Sequence, residues 1–289
     1  MSSILIHHHP GLGDHIMCHG IVRELANKYD RVGLLSLPRN YISVAFMYHD
    51  LQNLTVISAT EEETKKLLVG NSETCGLLYD EVKTVGFEHL NRLSGVSLEK
   101  QLYKIAGVDL SKKWDNFFVE RDFDKERALF NRVAPTSEYV FLHEDAPRNY
   151  KIERRLIDKK YAVFEPDEKL TENIFDYCAI IEKATEIHVI DSSFMFLIDC
   201  LKYEKPEQKL FIHRYARENE TWKLPVLKKN WQILTLSGNR NHKSVSVSAL
   251  LDKLEVLFLT HPVLKRLTRK LYRTFGWRTR LQKRGSNSI

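Results

Sequence analysis

Short apolar runs alternate with amphipathic stretches over the first 85 residues. Ile4–His8 reads as a strand, and His15–Tyr29 as a helix with Ile16, Cys18 or Gly20, Ile21 and Leu25 near one face. Val32–Leu37 is a second apolar strand, stopped by Pro38. Tyr41–Tyr48 is helical, Leu54–Ser58 a third strand, and Glu61–Leu68 helical again. Cys75–Tyr79 and Val82–Val85 read as further strands. Such alternation predicts a parallel sheet with helices on its faces.

Leu98–Ala106 and Phe123–Val133 predict helices on either side of the irregular, aromatic Trp114-Asp115-Asn116-Phe117-Phe118. Pro135-Thr136-Ser137 then breaks the pattern, and the same logic restarts. Tyr139–His143 and Tyr161–Phe164 read as strands, and Asn173–Ala184 as a helix. Glu186–Ile190 is a strand that meets Asp191-Ser192-Ser193 and an apolar helix reaching Leu201. Lys209–His213 and Gln232–Leu236 complete the set. The expected architecture is α/β, with two Rossmann-like domains facing a cleft. They would cover residues 1–135 and 136–252, followed by a tail over 253–289. Open parallel sheets bind ligands beyond the carboxyl ends of their strands. The turns at 10–14 and 191–193 both take that kind of position.

The first of these turns, Pro10-Gly11-Leu12-Gly13-Asp14, carries the most information. Glycines at a strand-to-helix turn let a ligand approach the backbone, and the helix start behind them offers unpaired N–H groups. Asp14 reads either as a helix cap or as a general base for a hydroxyl. A dinucleotide fold would need a third glycine where Ile16 stands, and an acid at the end of the second strand, where Ser36-Leu37-Pro38-Arg39 stands. An NADP site through Arg39 is a minor alternative. In the second half, Ser192 and Ser193 at a helix start suit a diphosphate, with Asp191 beside it on a ribose or sugar hydroxyl; the plain alternative is a serine cap. His143-Glu144-Asp145 and Arg148 follow a strand end and suit a ligand-facing loop, with a solvated loop as the alternative. Arg148 would stabilise a leaving diphosphate. Lys151, Arg154 and Arg155 are less favoured for that role.

A strand, Gly-x-Gly-Asp and an Ile-rich helix together resemble the N-terminus of heptosyltransferase-like GT-B glycosyltransferases (family 9). Glu186-Ile187-His188-Val189-Ile190-Asp191-Ser192-Ser193 is similar to the strand–Asp-Ser–helix element of their donor domain, and also resembles GT-B fucosyltransferases. The family pattern continues Asp-Ser-Gly with a His shortly after, where this chain has Ser193-Phe194-Met195-Phe196. The resemblance implies a GT-B-like fold with an acceptor-side first domain, a donor-binding second domain and Asp14 as catalytic base. It implies transfer of a sugar from a nucleotide-diphosphate donor to a glycan or lipid-linked hydroxyl, with inversion and without a metal. The nucleotide sugar is then a substrate, and no cofactor is expected. Gly11 and Gly13 would make room for acceptor and donor, with His9 as a further contact. Ser192 and Ser193 would hold the diphosphate, with His143, Glu144, Arg148 and Asp191 lining the donor side. The alternative is a non-catalytic nucleotide-sugar-binding or membrane-associated protein on the same fold.

Charge and composition change this picture in one place. The net charge is +6, but nine Lys or Arg lie between Lys265 and Arg284, and no Asp or Glu follows Glu255. The body is therefore acidic, which disfavours nucleic acid as a partner. Leu264, Leu267, Leu271 and Phe275 form an apolar seam among these basic residues. Residues 262–284 thus suit either an anionic membrane surface or packing back onto the acidic body. No apolar run approaches the ~18 residues of a membrane span, and no secretory signal is evident. Cys18, Cys75, Cys178 and Cys200 are scattered and read as reduced thiols. The expected location is cytoplasmic, with peripheral membrane contact as an option. His7-His8-His9 is not expected to bind a metal, because alternate strand residues face opposite ways.

Overall fold

In the chain's computed structural model, the residues described are 1–70, 79–86, 90–91, 95–217 and 223–235. The first half runs β1 (Ser3–His8), α1 (Leu12–Ala26), β2 (Arg31–Ser36), α2 (Tyr41–Met47), β3 (Leu54–Ser58), α3 (Glu61–Gly70) and β4 (Glu81–Val85). Helices α4 (Leu98–Ala106), α5 (Lys112–Asp115) and α6 (Phe123–Val133) follow. The second half runs β5 (Tyr139–His143), β6 (Ala162–Phe164), α7 (Cys178–Lys183), β7 (Glu186–Val189), α8 (Ser193–Cys200), β8 (Lys209–His213) and β9 (Trp231–Leu234). The fold is α/β with two sheets whose strands are all parallel. One is four-stranded in the order β3-β2-β1-β4, the other five-stranded in the order β6-β5-β7-β8-β9. Met1–Thr235 forms one compact unit.

Each sheet has a point where the chain reverses the direction in which it adds strands. In the first sheet it lies beside β1, between the β2 and β4 sides; in the second it lies between β5 and β7. Ligand crevices in open α/β sheets form outside the strand ends at such points. The residues that follow β1, β5 and β7 are therefore the ones this topology places at the crevices.

Most expected elements are present, with four differences. Helix α1 starts at Leu12 rather than His15, so the glycine turn and Asp14 belong to its start. It is also buried almost all round, not on one face, because it lies on the first sheet and packs against α4, α5 and α8. Part of the aromatic stretch expected to be irregular is helical, as α5. The helix expected over 173–184 begins as a 3-10 turn, Ile174–Tyr177, before α7. Residues 75–78 of the strand expected over 75–79, and the tail over 253–289, lie outside the described residues. No helix among the described residues is long and apolar enough to cross a membrane.

The main apolar core runs through both halves, from Ile4, Ile6 and Ile16 to Phe141, Leu197 and Ile212, with smaller clusters around Leu142 and Ile190 and around Leu5 and Leu35. Two features, one polar and one steric, hold α8 and α1 in it. Asp199 on α8 is 2% exposed, and it accepts from the Trp114 indole at 2.9 Å, the Trp231 indole at 3.0 Å and the Lys228 and Lys229 backbone N–H groups at 2.9 and 3.0 Å. A buried carboxylate is tolerated when its oxygens are satisfied in this way. Gly20 lies so close to the start of α5 that an added Cβ would overlap the Lys112 carbonyl and come within 2.7 Å of the Tyr103 hydroxyl. Gly107, in contrast, ends α4 with φ 69° and has nothing within 4 Å of an added Cβ. Its N–H bonds back to Lys104 O and that of Val108 to Tyr103 O, the arrangement of a left-handed helix stop.

These two glycines are needed for different reasons. Gly20→Ala should lower stability by about 1–3 kcal/mol through overpacking against backbone that cannot give. Gly107→Ala should cost only about 1 kcal/mol, from backbone strain alone. Urea denaturation of both variants checks the order; an equal or reversed cost would show that α1 and α5 are not in close contact.

Candidate functional site

The site is built on two helix starts that touch. An added Cβ on Gly13, in the first turn of α1, would lie 3.3 Å from Phe196 Cδ2 and 3.4 Å from the Ser193 backbone nitrogen. The Gly-x-Gly-Asp turn after β1 and the Asp-Ser-Ser turn after β7 are thereby brought together. Their first-turn N–H groups have no acceptor within their own helices, and both positive dipole ends lie in one place. The space beside the glycines, expected to admit ligand, is filled at both positions by the protein itself. Gly13 admits α8, and Gly11 admits a carboxylate.

That carboxylate is Asp14. The cap of α1 is Gly11, in extended conformation (φ −67°, ψ 143°), so Asp14 is not the cap; it stands in the first turn. Its Oδ2 lies 2.5 Å from where a Cβ of Gly11 would be, and accepts from His9 Nδ1 at 2.6 Å. The His9 side chain is 39% exposed and that of Asp14 18%. Asn40, just beyond β2, donates to the Pro10 carbonyl at 2.7 Å and pins the turn.

Beneath this pair lie two buried imidazoles. His8 donates from Nδ1 to the His9 carbonyl at 2.8 Å, and its ring meets that of His15 edge-on at 4.4 Å. Among the described residues, neither His15 nitrogen has a hydrogen-bond partner, nor does His8 Nε2. Burial pushes the His8 pKa down to about 4 and that of His15 well below its ordinary value. Both rings are neutral at pH 7. The three consecutive histidines thus divide between a buried floor and the rim, and no group of three metal-ligating side chains occurs among the described residues.

On the α8 side, Ser192 is the helix cap by position but makes no side-chain cap bond. Its hydroxyl is instead hydrogen bonded to His143 Nδ1 at 3.0 Å. Strand pairing sets this up: His143 stands opposite Val189, and the Ile190 N–H bonds to the His143 carbonyl at 3.2 Å. His143 also packs on Phe194, ring centres 4.6 Å apart, and burial lowers its pKa to about 4. Asp191 is paired with Arg214 at 2.5 Å, and its carbonyl accepts from Arg217. Arg217 and Arg148 both lie over the Tyr150 ring, 5.6 and 5.7 Å from its centre. Arg148 is held by Asp145, with an Nε–Oδ2 distance of 2.5 Å. Glu144 turns the other way, accepting from the Ile152 N–H at 2.7 Å and from Arg154 at 3.1 Å.

The fold therefore gathers His9, Gly11, Gly13, Asp14, Ser192 and Ser193 around one helix–helix contact. His143 and Asp191 hold it from the second sheet, and Arg148 joins their rim through Tyr150. Glu144 braces the loop after β5 and is not directed at this contact. Arg214 and Arg217, which follow β8, were missed from sequence. The rule that singled out the polar residues after β5 would have found them had it been applied after β8. No family model matches the chain, and neither curated proteins nor solved structures gave a match.

The buried histidines give the protein a pH signature. His8 and His143 titrate at about 4 when folded and at about 6.5 when unfolded. Between these values the unfolded chain binds more protons, so stability is complete above about pH 6.5 and is lost as pH falls towards 4. Each such group contributes on the order of 1.4 kcal/mol per pH unit inside that window. Urea midpoints at pH 7, 6 and 5 should fall steadily. His143→Gln should flatten the slope by close to one proton, and an unchanged slope would mean that His143 is not held neutral.

Proposed function

We propose that this chain is a GT-B-like glycosyltransferase that moves a sugar from a nucleoside-diphosphate donor to a hydroxyl acceptor with inversion. One observation carries the reading: two helix starts, one bearing an acid–base pair and one bearing hydroxyls beside arginines, meet at Gly13 and Ser193. Glycosyl transfer needs these two kinds of group close together. A base must take the acceptor proton, and fixed positive charge must receive the departing diphosphate.

In this reading Asp14, with His9 bound to it, forms the base that activates the acceptor. The first-turn N–H groups of α8 and the hydroxyls of Ser192 and Ser193 hold the diphosphate. His143 orients the Ser192 hydroxyl. Arg214 and Arg217 add positive charge beside Asp191, and Arg148 extends it along the rim. Helix dipole and guanidinium groups supply the charge stabilisation, so no step is assigned to a metal. A glycan or lipid-linked alcohol fits as acceptor class, and the basic residues between 262 and 284 would bring the enzyme to an anionic membrane carrying it.

Two measurements test the proposal. A thermal-shift screen against UDP, GDP, ADP, CMP and their sugars, with NADP as control, should show stabilisation by one nucleoside diphosphate. Arg214→Gln and Ser192→Ala should reduce that shift. Asp14→Asn should lower transfer by about 10²–10⁴-fold, the range of a general base, and leave the donor-induced shift intact. A response to NADP alone, or wild-type turnover in Asp14→Asn, would overturn the assignment. A donor-induced shift without any donor cleavage would instead favour a non-catalytic nucleotide-sugar-binding protein.

A further inference from the structure

We infer that Tyr215 is a positioning residue for the diphosphate. A one-way chain of hydrogen bonds, from Tyr215 through His213 and His188 to Glu186, fixes its hydroxyl, and that hydroxyl sets the turn carrying Arg214 and Arg217. This rests on the glycosyl-transfer reading and adds what holds its donor-side arginines in place.

The chain runs through the interior of the second sheet. Glu186 and His188 are alternate residues of β7 and share a face, and His213 ends the neighbouring β8. All three are buried, at 6%, 1% and 0% exposure. His188 Nε2 lies 3.3 Å from Glu186 Oε2, and His188 Nδ1 lies 2.8 Å from His213 Nε2. His213 Nδ1 is 2.9 Å from the Tyr215 hydroxyl, which also accepts from the Glu153 N–H at 2.9 Å.

Charge fixes the direction of these bonds. Glu186 Oε1 is paired with Lys209 Nζ at 3.0 Å, and a carboxylate so paired can only accept. The proton between Glu186 and His188 therefore sits on Nε2. Burial lowers the His188 pKa and brings that of His213 down to about 3, so both rings are neutral at pH 7 and carry one N–H each. With its proton on Nε2, His188 accepts at Nδ1 from the His213 Nε2–H. His213 Nδ1 is then left to accept, and the donor facing it is the Tyr215 O–H. The other charge acting on His213 is Arg154, which Glu144 and Glu165 hold at 3.1 and 3.0 Å.

Tyr215 stands where this chain meets the candidate site. It lies in the 3-10 turn Arg214–Arg217, in which Arg214 pairs with Asp191 at 2.5 Å and Arg217 donates to the Asp191 carbonyl. Through the Glu153 N–H the same oxygen reaches the segment between β5 and β6, which also carries Arg148. One hydroxyl thus ties together the two segments that supply arginines to the donor side. Two imidazoles and a carboxylate inside a sheet cost desolvation, and an apolar trio would fill that space without it. What the polar chain provides is a fixed turn: charges ordered before the ligand arrives spare the cost of ordering them on binding.

The test is a double-mutant cycle read on ligand affinity. Dissociation constants for UDP, GDP and ADP would be measured by calorimetry on the full chain as wild type, Tyr215→Phe, Glu186→Leu and the double variant. Tyr215→Phe keeps the ring and removes the hydroxyl alone. It should weaken the nucleoside diphosphate that wild type binds by about 3–10-fold, the worth of one hydrogen bond. Donor KM should rise alike, with kcat within about 2-fold of wild type, because binding rather than chemistry is affected. Glu186→Leu, three hydrogen bonds away from Tyr215, should weaken affinity in the same direction. The double variant should then bind no worse than Tyr215→Phe, since both changes act through one hydroxyl. Imidazole-¹⁵N spectra at pH 7 should show His188 and His213 both in the Nε2–H form.

A Tyr215→Phe protein that loses stability in urea but keeps wild-type affinity would overturn the inference, because the chain would then serve the fold alone. Additive losses in the double variant, or an Nδ1–H ring at His188 or His213, would overturn it as well. Each of these results leaves the glycosyltransferase reading standing. Wild-type protein that binds none of the three diphosphates would overturn the parent reading and the positioning role together.

Discussion

Everything at the candidate site depends on how closely the first turn of α1 approaches the first turn of α8. Gly13 is the residue at that contact, with the Ser193 backbone nitrogen and the Phe196 ring where a side chain would otherwise be. Two helix starts normally repel, because each carries a partial positive charge. Holding them together therefore needs force from elsewhere, and a shared anionic ligand would favour the arrangement. The restraint comes from behind both helices. Gly20 lets α1 settle against Lys112, and Asp199 gathers two indoles and two backbone N–H groups around the far end of α8.

The electrostatics of the site follow from the same packing. Burial neutralises His8, His15 and His143, so the charge near the helix starts resides in a few pairs: His9 with Asp14, Arg214 with Asp191, and Arg148 with Asp145. Acid–base chemistry and anion binding make different demands. The first needs a lone pair next to a negative partner, the second needs fixed donors and positive charge. These pairs are distributed accordingly, with the carboxylate–imidazole pair after β1 and the arginines after β5 and β8. His143 links the two demands structurally, because its bond to Ser192 ties the diphosphate-side hydroxyl to the end of β5.

Periodicity identified the strands from Ile4 to Trp231 with small boundary shifts, since an apolar strand announces itself in its own residues. Helix α1 shows where such reading stops. Its start at Leu12 rather than His15 moved Asp14 from cap to first turn, and changed the partner of its carboxylate from backbone N–H to His9. Its nearly complete burial was also invisible locally, because Arg23 and His19 look solvent-facing until Tyr48, Asp50, Phe117 and Phe118 pack around them, and His15 until it meets His8. Ser192 is a similar case. A serine at a helix start suggests a cap, yet a histidine 49 positions earlier takes its hydroxyl.

The sequence by itself determined the α/β class, the order of elements and which strand ends carry polar residues, because each depends on spacing within about a dozen neighbours. Only the tertiary structure decided that β1 and β7 would present their turns to each other. It also decided that Gly11 and Gly13 serve protein contacts, and that Arg214 would reach Asp191. These outcomes depend on strand order and on close packing between segments far apart in the chain. Local periodicity carries no record of either, since a parallel strand reads the same whichever neighbour it pairs with.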